Sequence, residues 1–317
     1  MYTENPAKDV ILFAKAFLSN QLARFSPKLY MTLTRQTGRG EGEENPAQIA
    51  EYFSRCFDDY RDQLGLGETE FSAFLKRKSV LEYGPGDVLG VALLFYAHGA
   101  ESVCCVDRFP LSKLSAKNVE VYRCLVESLS GEARARAESA FKEKGNPASG
   151  FDDHAIHYKV AKNGLSGSSD EYDLVISRAV LEHVNNLKET LLDVKGSLRR
   201  GGLSLHQVDL KSHGLDRYTE FDFLTWPETA YKLMYGHKGF PNRWRVDKYR
   251  ELAAGAGLRV RHLKATGRLD QEKIGIVRPK LATALRGLDA GELAWTGFWM
   301  VLEHPAAPAS PTAGQNS

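Results

Sequence analysis

The sequence predicts an α/β fold: a doubly wound, mostly parallel sheet of seven strands. Three observations predict it. Short apolar runs alternate with helix-length segments from residue 79 onward. A glycine turn, Gly84–Pro85–Gly86, joins the first of those runs to a helix. An acid, Asp107, closes the next run, 21 residues after Gly86. No internal repeat and no linker between separate domains is evident. One domain with N-terminal helices and an aromatic insertion after the fifth strand fits the pattern best.

The elements follow in order. Residues 1–30 read as helical, with Val10 to Leu22 apolar at helical spacing. Residues 37–45 (TGRGEGEEN) read as a loop. Asn45–Pro46 is a helix start, a capping amide followed by a proline that loses no hydrogen bond. That helix is expected to run to Gln63, ended by Gly65 and Gly67, and a short one covers Glu68 to Lys76. Ser79 to Tyr83 is the first strand, Val88 to His98 a helix and Ser102 to Val106 the second strand. Residues 111–145 carry helical patterning, broken by Asn146–Pro147. Strands are then expected at Ala155–Val160, Tyr172–Ser177, Leu203–Leu210 and Leu258–Leu263, with a last one inside Glu292–Glu303. Helices are expected at Leu187–Leu198 and Val246–Ala256, and Gly201–Gly202 is a turn before the fifth strand. Residues 211–244 look long, aromatic and irregular. Residues 305–317, rich in Pro, Ala and Ser, are expected to be a disordered tail.

Composition leaves the function open but narrows its class. The chain has 317 residues, with 43% hydrophobic and 26% charged, which are globular proportions. Lys plus Arg number 42 against 40 for Asp plus Glu. No basic excess points to nucleic acid, and no nucleic-acid partner is expected. The N-terminus lacks the pattern of a secretory signal. The richest apolar run, Leu89 to Ala97, is too short to span a bilayer, so no membrane span is expected. Cys56, Cys104, Cys105 and Cys124 form no CxxC pair and read as reduced thiols in a cytoplasmic protein.

The glycine turn is the first candidate site. Glycine lets the backbone approach a ligand that a Cβ would repel, and the helix behind it offers free N–H groups. Asp107 can accept hydrogen bonds from both ribose hydroxyls. The spacing is G-x-G-x-x-x-G, not the G-x-G-x-x-G of dinucleotide sites. Glu82, two residues before Gly84, would repel a pyrophosphate but favour a cationic amino-acid head group. A ligand with a ribose, an adenine and an ammonium, and no phosphates, fits these residues.

Glu82-Tyr83-Gly84-Pro85-Gly86 resembles the first motif of the class I S-adenosylmethionine-dependent methyltransferases, whose fold is Rossmann-like. Asp107 matches the ribose-binding acid of that family. Tyr172 to Ser177, followed by Val180-Leu181-Glu182-His183-Val184, resembles the fourth-strand motif. Leu198-Arg199-Arg200-Gly201-Gly202 resembles the turn before the fifth strand. The matches fall in order across about residues 78–210, and the last two strands extend them to about 304. The resemblance implies S-adenosyl-L-methionine as cofactor and S-adenosyl-L-homocysteine as product. It implies that Glu82, Gly84, Pro85 and Gly86 line the methionine side, with Asp107 at the ribose, Arg108 and Asn163 towards the adenine, and Ser177 near the methionine and the acceptor. It divides the chain into a helical cap (1–77), a methyltransferase domain (78–304) and the tail.

A hydroxyl acceptor needs a proton sink. The fifth strand and its exit, LHQVDLKSHG, carry His206, Asp209 and His213. His213 oriented by Asp209 is the expected general base, with His206 as a further catalytic candidate. A solvated loop histidine beside a turn-capping Asp is an equal reading. The three are also metal-ligand types, but no metal is assigned. His183, Trp226, Tyr231, Asn242, Arg243 and Arg245 are expected to meet the acceptor: aromatic faces suit a ring or sugar, and arginine offers a fork to an anionic group. Glu182–His183 reads equally as a helix start that caps the sheet. The expected partner is a small-molecule acceptor, methylated at a hydroxyl of a sugar, glycan or aromatic metabolite. Nucleic-acid or protein methylation, and a non-catalytic cofactor-binding partner of an active paralogue, are the alternatives. The N-terminal helices either cover the site or build a homodimer.

Overall fold

The structure, a computed structural model, describes residues 5–26, 29–30, 33 and 45–306. The expected loop at 37–44 and the tail from 307 onward lie outside these.

Helix α1 (Pro6–Phe25) starts at Asn5, whose side chain accepts the Lys8 N–H at 3.2 Å. Helix α2 (Pro46–Leu64) starts on a capping box: Asn45 Oδ1 accepts the Gln48 N–H, and Gln48 Oε1 accepts the Asn45 N–H. It stops at Gly65, which takes the left-handed conformation at φ +67°. Helix α3 (Glu68–Leu75) leads into β1 (Ser79–Tyr83), α4 (Gly90–Ala97) and β2 (Ser102–Asp107). Then come α5 (Ala116–Ser128), α6 (Gly131–Ser139), β3 (Ile156–Val160), β4 (Tyr172–Arg178), α7 (Leu187–Ser197) and β5 (Leu198–Asp209). The rest is α8 (Glu228–Tyr235), α9 (Val246–Gly255), β6 (Arg259–Arg268), α10 (Gln271–Val277), α11 (Ala290–Leu293) and β7 (Trp295–Glu303).

The seven strands lie in the order β3-β2-β1-β4-β5-β7-β6. β1 to β5 are parallel, and β7 runs antiparallel between β5 and β6. This is the doubly wound sheet the sequence predicts. Successive side chains leave opposite faces of a strand, and each face has its own core. Val80, Val103, Ile176 and Leu205 pack with α2 to α6. Leu81, Val106, Val175 and Val208 pack with α7 and α9. A third core joins α8, α10 and α11 to Ala16 of α1. Helix α1 therefore packs on the insertion, whereas α2 packs on α4 and α5.

Three expectations need correction. Residues 211–244 are not irregular throughout. Phe223 and Leu224 lie in a short 3-10 turn, and α8 buries Tyr231, Met234 and Tyr235, an i, i+3, i+4 spacing that defines one helix face. The fifth strand starts at Leu198, ahead of Gly201–Gly202, because the pairing with β4 shifts register between Tyr172 and Leu174 and carries the strand through the glycines. β6 runs on to Arg268 as a largely exposed edge strand with no apolar signal to announce it. The four cysteines are all free thiols. Among the described residues no helix is long and apolar enough to cross a membrane.

Candidate functional site

β1 and β4 are neighbours at the centre of the sheet, and the site forms where both end. β1 runs into Gly84 and Gly86, at φ +63° and +78°, a region that side chains adopt only with strain. Gly84 also has no room for a side chain: a Cβ there would stand 2.4 Å from Val180 Cγ2, just beyond β4. Gly90 has a different task. A Cβ there would meet the ring of Phe53 at 2.4 Å, so this glycine seats α2 against α4.

Two buried acids flank the turn. Glu82 lies in β1 beside Cys105 of β2, whose thiol donates to Oε2 at 3.6 Å. Burial pushes the Glu82 carboxyl up to about 8, and Asp107 nearby adds to the rise. Asp107 ends β2. Its Oδ1 accepts the Phe109 N–H at 3.3 Å, while Oδ2 is buried with no partner among the described residues. Burial raises it to about 6, against the pull of the Phe109, Arg108 and Gly86 N–H groups. A buried acceptor without a donor is costly. Vicinal hydroxyls would supply Asp107 with donors, and an ammonium would stabilise ionised Glu82. The residues therefore fit the ribose and amino-acid ends of the cofactor that the motif implies. Pro85 sits within the turn. Arg108, half-buried, lies over the Phe109 ring at 5.2 Å. The loop after β3 runs beside it, since a Cβ on Gly164 would be 3.8 Å from Arg108 Cβ. Asn163 in that loop is exposed and accepts the Leu165 N–H at 3.2 Å.

On the other side of the turn, α2 is fastened to the end of β4. Arg178 donates to Asp59 Oδ2 at 2.8 Å and lies over the Trp299 ring, which also packs edge-on against Tyr60. Sequence reasoning missed this contact, because its partners come from three distant segments.

The strand exits bring Glu182, His183, Asp209 and His213 together. Leu181–His183 forms a 3-10 turn after β4. Glu182 Oε1 accepts the Asp209 N–H at 3.2 Å. His213 Nε2 stands 3.9 Å from Asp209 Oδ2, and its ring meets that of His183 edge-on at 5.1 Å. His213 takes φ +51°, rare for a non-glycine residue. Burial lowers the His213 pKa and takes His183 down to about 4, helped by their mutual repulsion at His183. Glu182 is driven up to about 8 by burial. Asp209 and His213 thus meet as expected, and Glu182, read only as part of a motif, joins them.

Several expected site residues are committed elsewhere. His206 is fully buried, on the β5 face shared with Val208, and its Nδ1 is 2.7 Å from the Ser177 hydroxyl. Neither side chain has surface with which to touch a ligand, which removes His206 from catalysis and the Ser177 side chain from cofactor contact. Arg245 is also fully buried. Its guanidinium donates to the carbonyls of Leu210, Leu293 and Trp295, leaving no fork for an acceptor. Arg243 donates to the Trp226 carbonyl and to Glu228, and covers the Tyr231 ring. Asn242 holds the Leu181 carbonyl at 2.9 Å, and Tyr231 donates to the Pro241 carbonyl at 2.6 Å. Trp226 is stacked under Arg217 at 4.2 Å. The Asn-Arg-x-Arg segment therefore staples the insertion to the strand ends. An open cavity of about 860 Å³ borders it, lined in part by Val184, Tyr231, Asn242 and Arg243.

A family model described as a methyltransferase domain matches residues 49–263. No curated protein matches the chain. Among solved structures, it is similar to an S-adenosylmethionine-dependent methyltransferase from Mesorhizobium loti, with 19% identity over 76% of this chain and 94% of that one and a TM-score of 0.41. It is also similar to a Galdieria sulphuraria protein provisionally named a sarcosine dimethylglycine methyltransferase, with 15% identity over 83% and 91% and a TM-score of 0.46. A third is phosphoethanolamine N-methyltransferase 2 of Haemonchus contortus, with 14% identity over 73% and 49% and a TM-score of 0.41.

Proposed function

The chain belongs to the methyltransferase-domain family of class I S-adenosylmethionine-dependent enzymes, and from that premise we propose that it methylates a hydroxyl of a small-molecule acceptor, a sugar, glycan or aromatic metabolite. The observation that carries the cofactor half of this reading is the pair of buried acids with raised pKa values, Glu82 and Asp107, on either side of a turn that excludes side chains. When bound, S-adenosylmethionine supplies an electrophilic methyl group on a sulfonium. The protein's share is to bind, align and exclude water. Asp107 Oδ2 receives the ribose hydroxyls, Glu82 faces the ammonium, and Arg108 with Asn163 borders the adenine.

The acceptor half rests on the Asp209–His213 pair, held at the strand exits beside the residue that packs on the glycine turn. His213, its pKa lowered by desolvation, is placed to take a hydroxyl proton, with Asp209 3.9 Å away to stabilise the charge. His183 and the cavity bounded by Tyr231, Asn242 and Arg243 form the acceptor's surroundings. Titration calorimetry with S-adenosylhomocysteine tests the reading, with NAD as control and Asp107→Ala beside it. We expect binding that weakens by about 100-fold in D107A, the worth of two hydrogen bonds to a charged group, and no heat from NAD. Absence of S-adenosylhomocysteine binding would sink it.

A further inference from the structure

Glu182, His183 and His213 each place one ligand-type atom within 4.8 Å of the other two. Two of those side chains carry buried polar atoms that nothing satisfies. Glu182 is 1% exposed, and its Oε2 has no partner among the described residues. His183 Nδ1 is in the same condition. His183 Nδ1 is thus a buried ring nitrogen that no protein group within the described residues satisfies. An unpartnered imidazole nitrogen beside a carboxylate and a second imidazole is a ready metal-ligand atom. Glu182 is oriented through Oε1, which accepts the Asp209 N–H at 3.2 Å. The turn that carries both is held from behind by Asn242 and Tyr249, each donating to the Leu181 carbonyl. A positive φ at His213 turns its ring towards His183.

We propose that Glu182, His183 and His213 bind a divalent first-row transition-metal ion, with Asp209 at its margin. One carboxylate and two imidazoles suit such ions and leave coordination positions open. Donors about 2.1 Å from a tetrahedral ion lie about 3.4 Å apart, so the three atoms, all within 4.8 Å of one another, draw together on binding by up to about 1.4 Å. The fully buried Glu182 forms the floor, and the partly exposed His213 and Asp209 form the entrance. This inference rests on the hydroxyl-acceptor reading but changes its base, Asp209 taking the place of His213: a hydroxyl with a neighbouring oxygen, as in a vicinal diol, is the acceptor class that an open cation position would hold. The ion would lower the hydroxyl's pKa. With His213 committed as a ligand, the hydroxyl proton goes to Asp209. The oxygen's electron pair forms the new O–C bond, and the S–C bond breaks with its pair left on sulfur as a neutral thioether.

The test is calorimetric and optical titration of the full chain with Co²⁺, Zn²⁺ and Mn²⁺ as the chlorides, without cofactor. We expect one equivalent bound, visible Co²⁺ absorption of a nitrogen-ligated site, and affinity reduced by about 100-fold or more in His213→Ala and His183→Ala. H213A changes a part-exposed loop position, so it keeps the test decisive if H183A does not fold. S-adenosylhomocysteine should bind H213A as it binds the parent protein. No binding of any of the three ions at millimolar concentration, or equal binding by H213A and the parent, would overturn the site. Metal binding without S-adenosylhomocysteine binding would leave the metal site standing and remove the acceptor role.

Discussion

Val180 Cγ2 occupies the space where a side chain on Gly84 would begin, 2.4 Å from the position of its Cβ. The first residue of the glycine turn and the strand exit that leads to Glu182 are thus packed as one unit. Gly84→Ala meets both this clash and a φ of +63°. We expect it to cost about 1–3 kcal/mol of stability and to lower S-adenosylhomocysteine affinity at least tenfold, by displacing the turn. Thermal denaturation and calorimetry on the same sample separate the two effects.

Cofactor binding should depend on pH in a definite direction. Without ligand, Glu82 titrates at about 8 and Asp107 at about 6. An ammonium and a diol both favour the ionised carboxylates, so binding releases protons below these values. Affinity for S-adenosylhomocysteine should therefore fall as pH drops from 8.5 to 5.5. Calorimetry in buffers of different ionisation enthalpy should detect the released protons. A flat profile would deny that the two acids face the ligand.

The same raised pKa has a stability consequence of opposite sign. A carboxyl that titrates higher in the folded than in the unfolded chain favours folding when protonated, and loses that advantage as pH rises. For Glu82 the window runs from the ordinary value of 4.5 to about 8. Glu82→Gln removes the buried charge. Its Tm should exceed that of the parent by a margin that widens across this window and is constant above it, while cofactor binding is lost. Melting curves from pH 5 to 9 would show it.

Arg245 predicts a stability defect without a chemical one. Methionine at this position would leave the Leu210, Leu293 and Trp295 carbonyls without their donor in a buried place. We expect a loss of about 1–3 kcal/mol in denaturant unfolding, the cost of buried carbonyls left without a donor. Cofactor affinity of the folded fraction should stay unchanged, because none of these carbonyls belongs to the glycine turn.

The parallel strands were readable because they are buried on both faces, so VLEY, SVCCVD and YDLVIS stand out as apolar runs. Asp107 was readable as the acid that ends the second strand, and Glu82 by its place two residues before Gly84. The arginines of the insertion were not. Arg245 is taken by main-chain carbonyls some tens of residues away, and every residue has one, while Arg243 is taken by the Trp226 carbonyl and the Glu228 carboxylate of the insertion itself. His206 misled because its place depends on register. It lies beside Ser177 on one side and Met300 on the other, three residues short of the strand end. Glu182 did leave a signal, an acid directly after a buried leucine, but its partnership with His213 needed the exit of β5 to be seen. The α8 spacing was also present in the sequence, hidden by the many other aromatics around it.

Helix α1 is tied to the insertion by more than packing. Tyr218 bonds the Asn5 backbone and Asp9, Arg217 pairs with Asp9 at 3.0 Å, and Asn20 exchanges hydrogen bonds with the backbone of Leu233 and His237. The first segment of the chain thus completes a wall whose other half is made some two hundred residues later. During synthesis that wall stays unfinished until the insertion has emerged, well after the cofactor turn. Under the proposed reading, in which the insertion borders the acceptor, a protein shortened at its front, or fused there to another protein, should keep its hold on the cofactor and change its choice of acceptor.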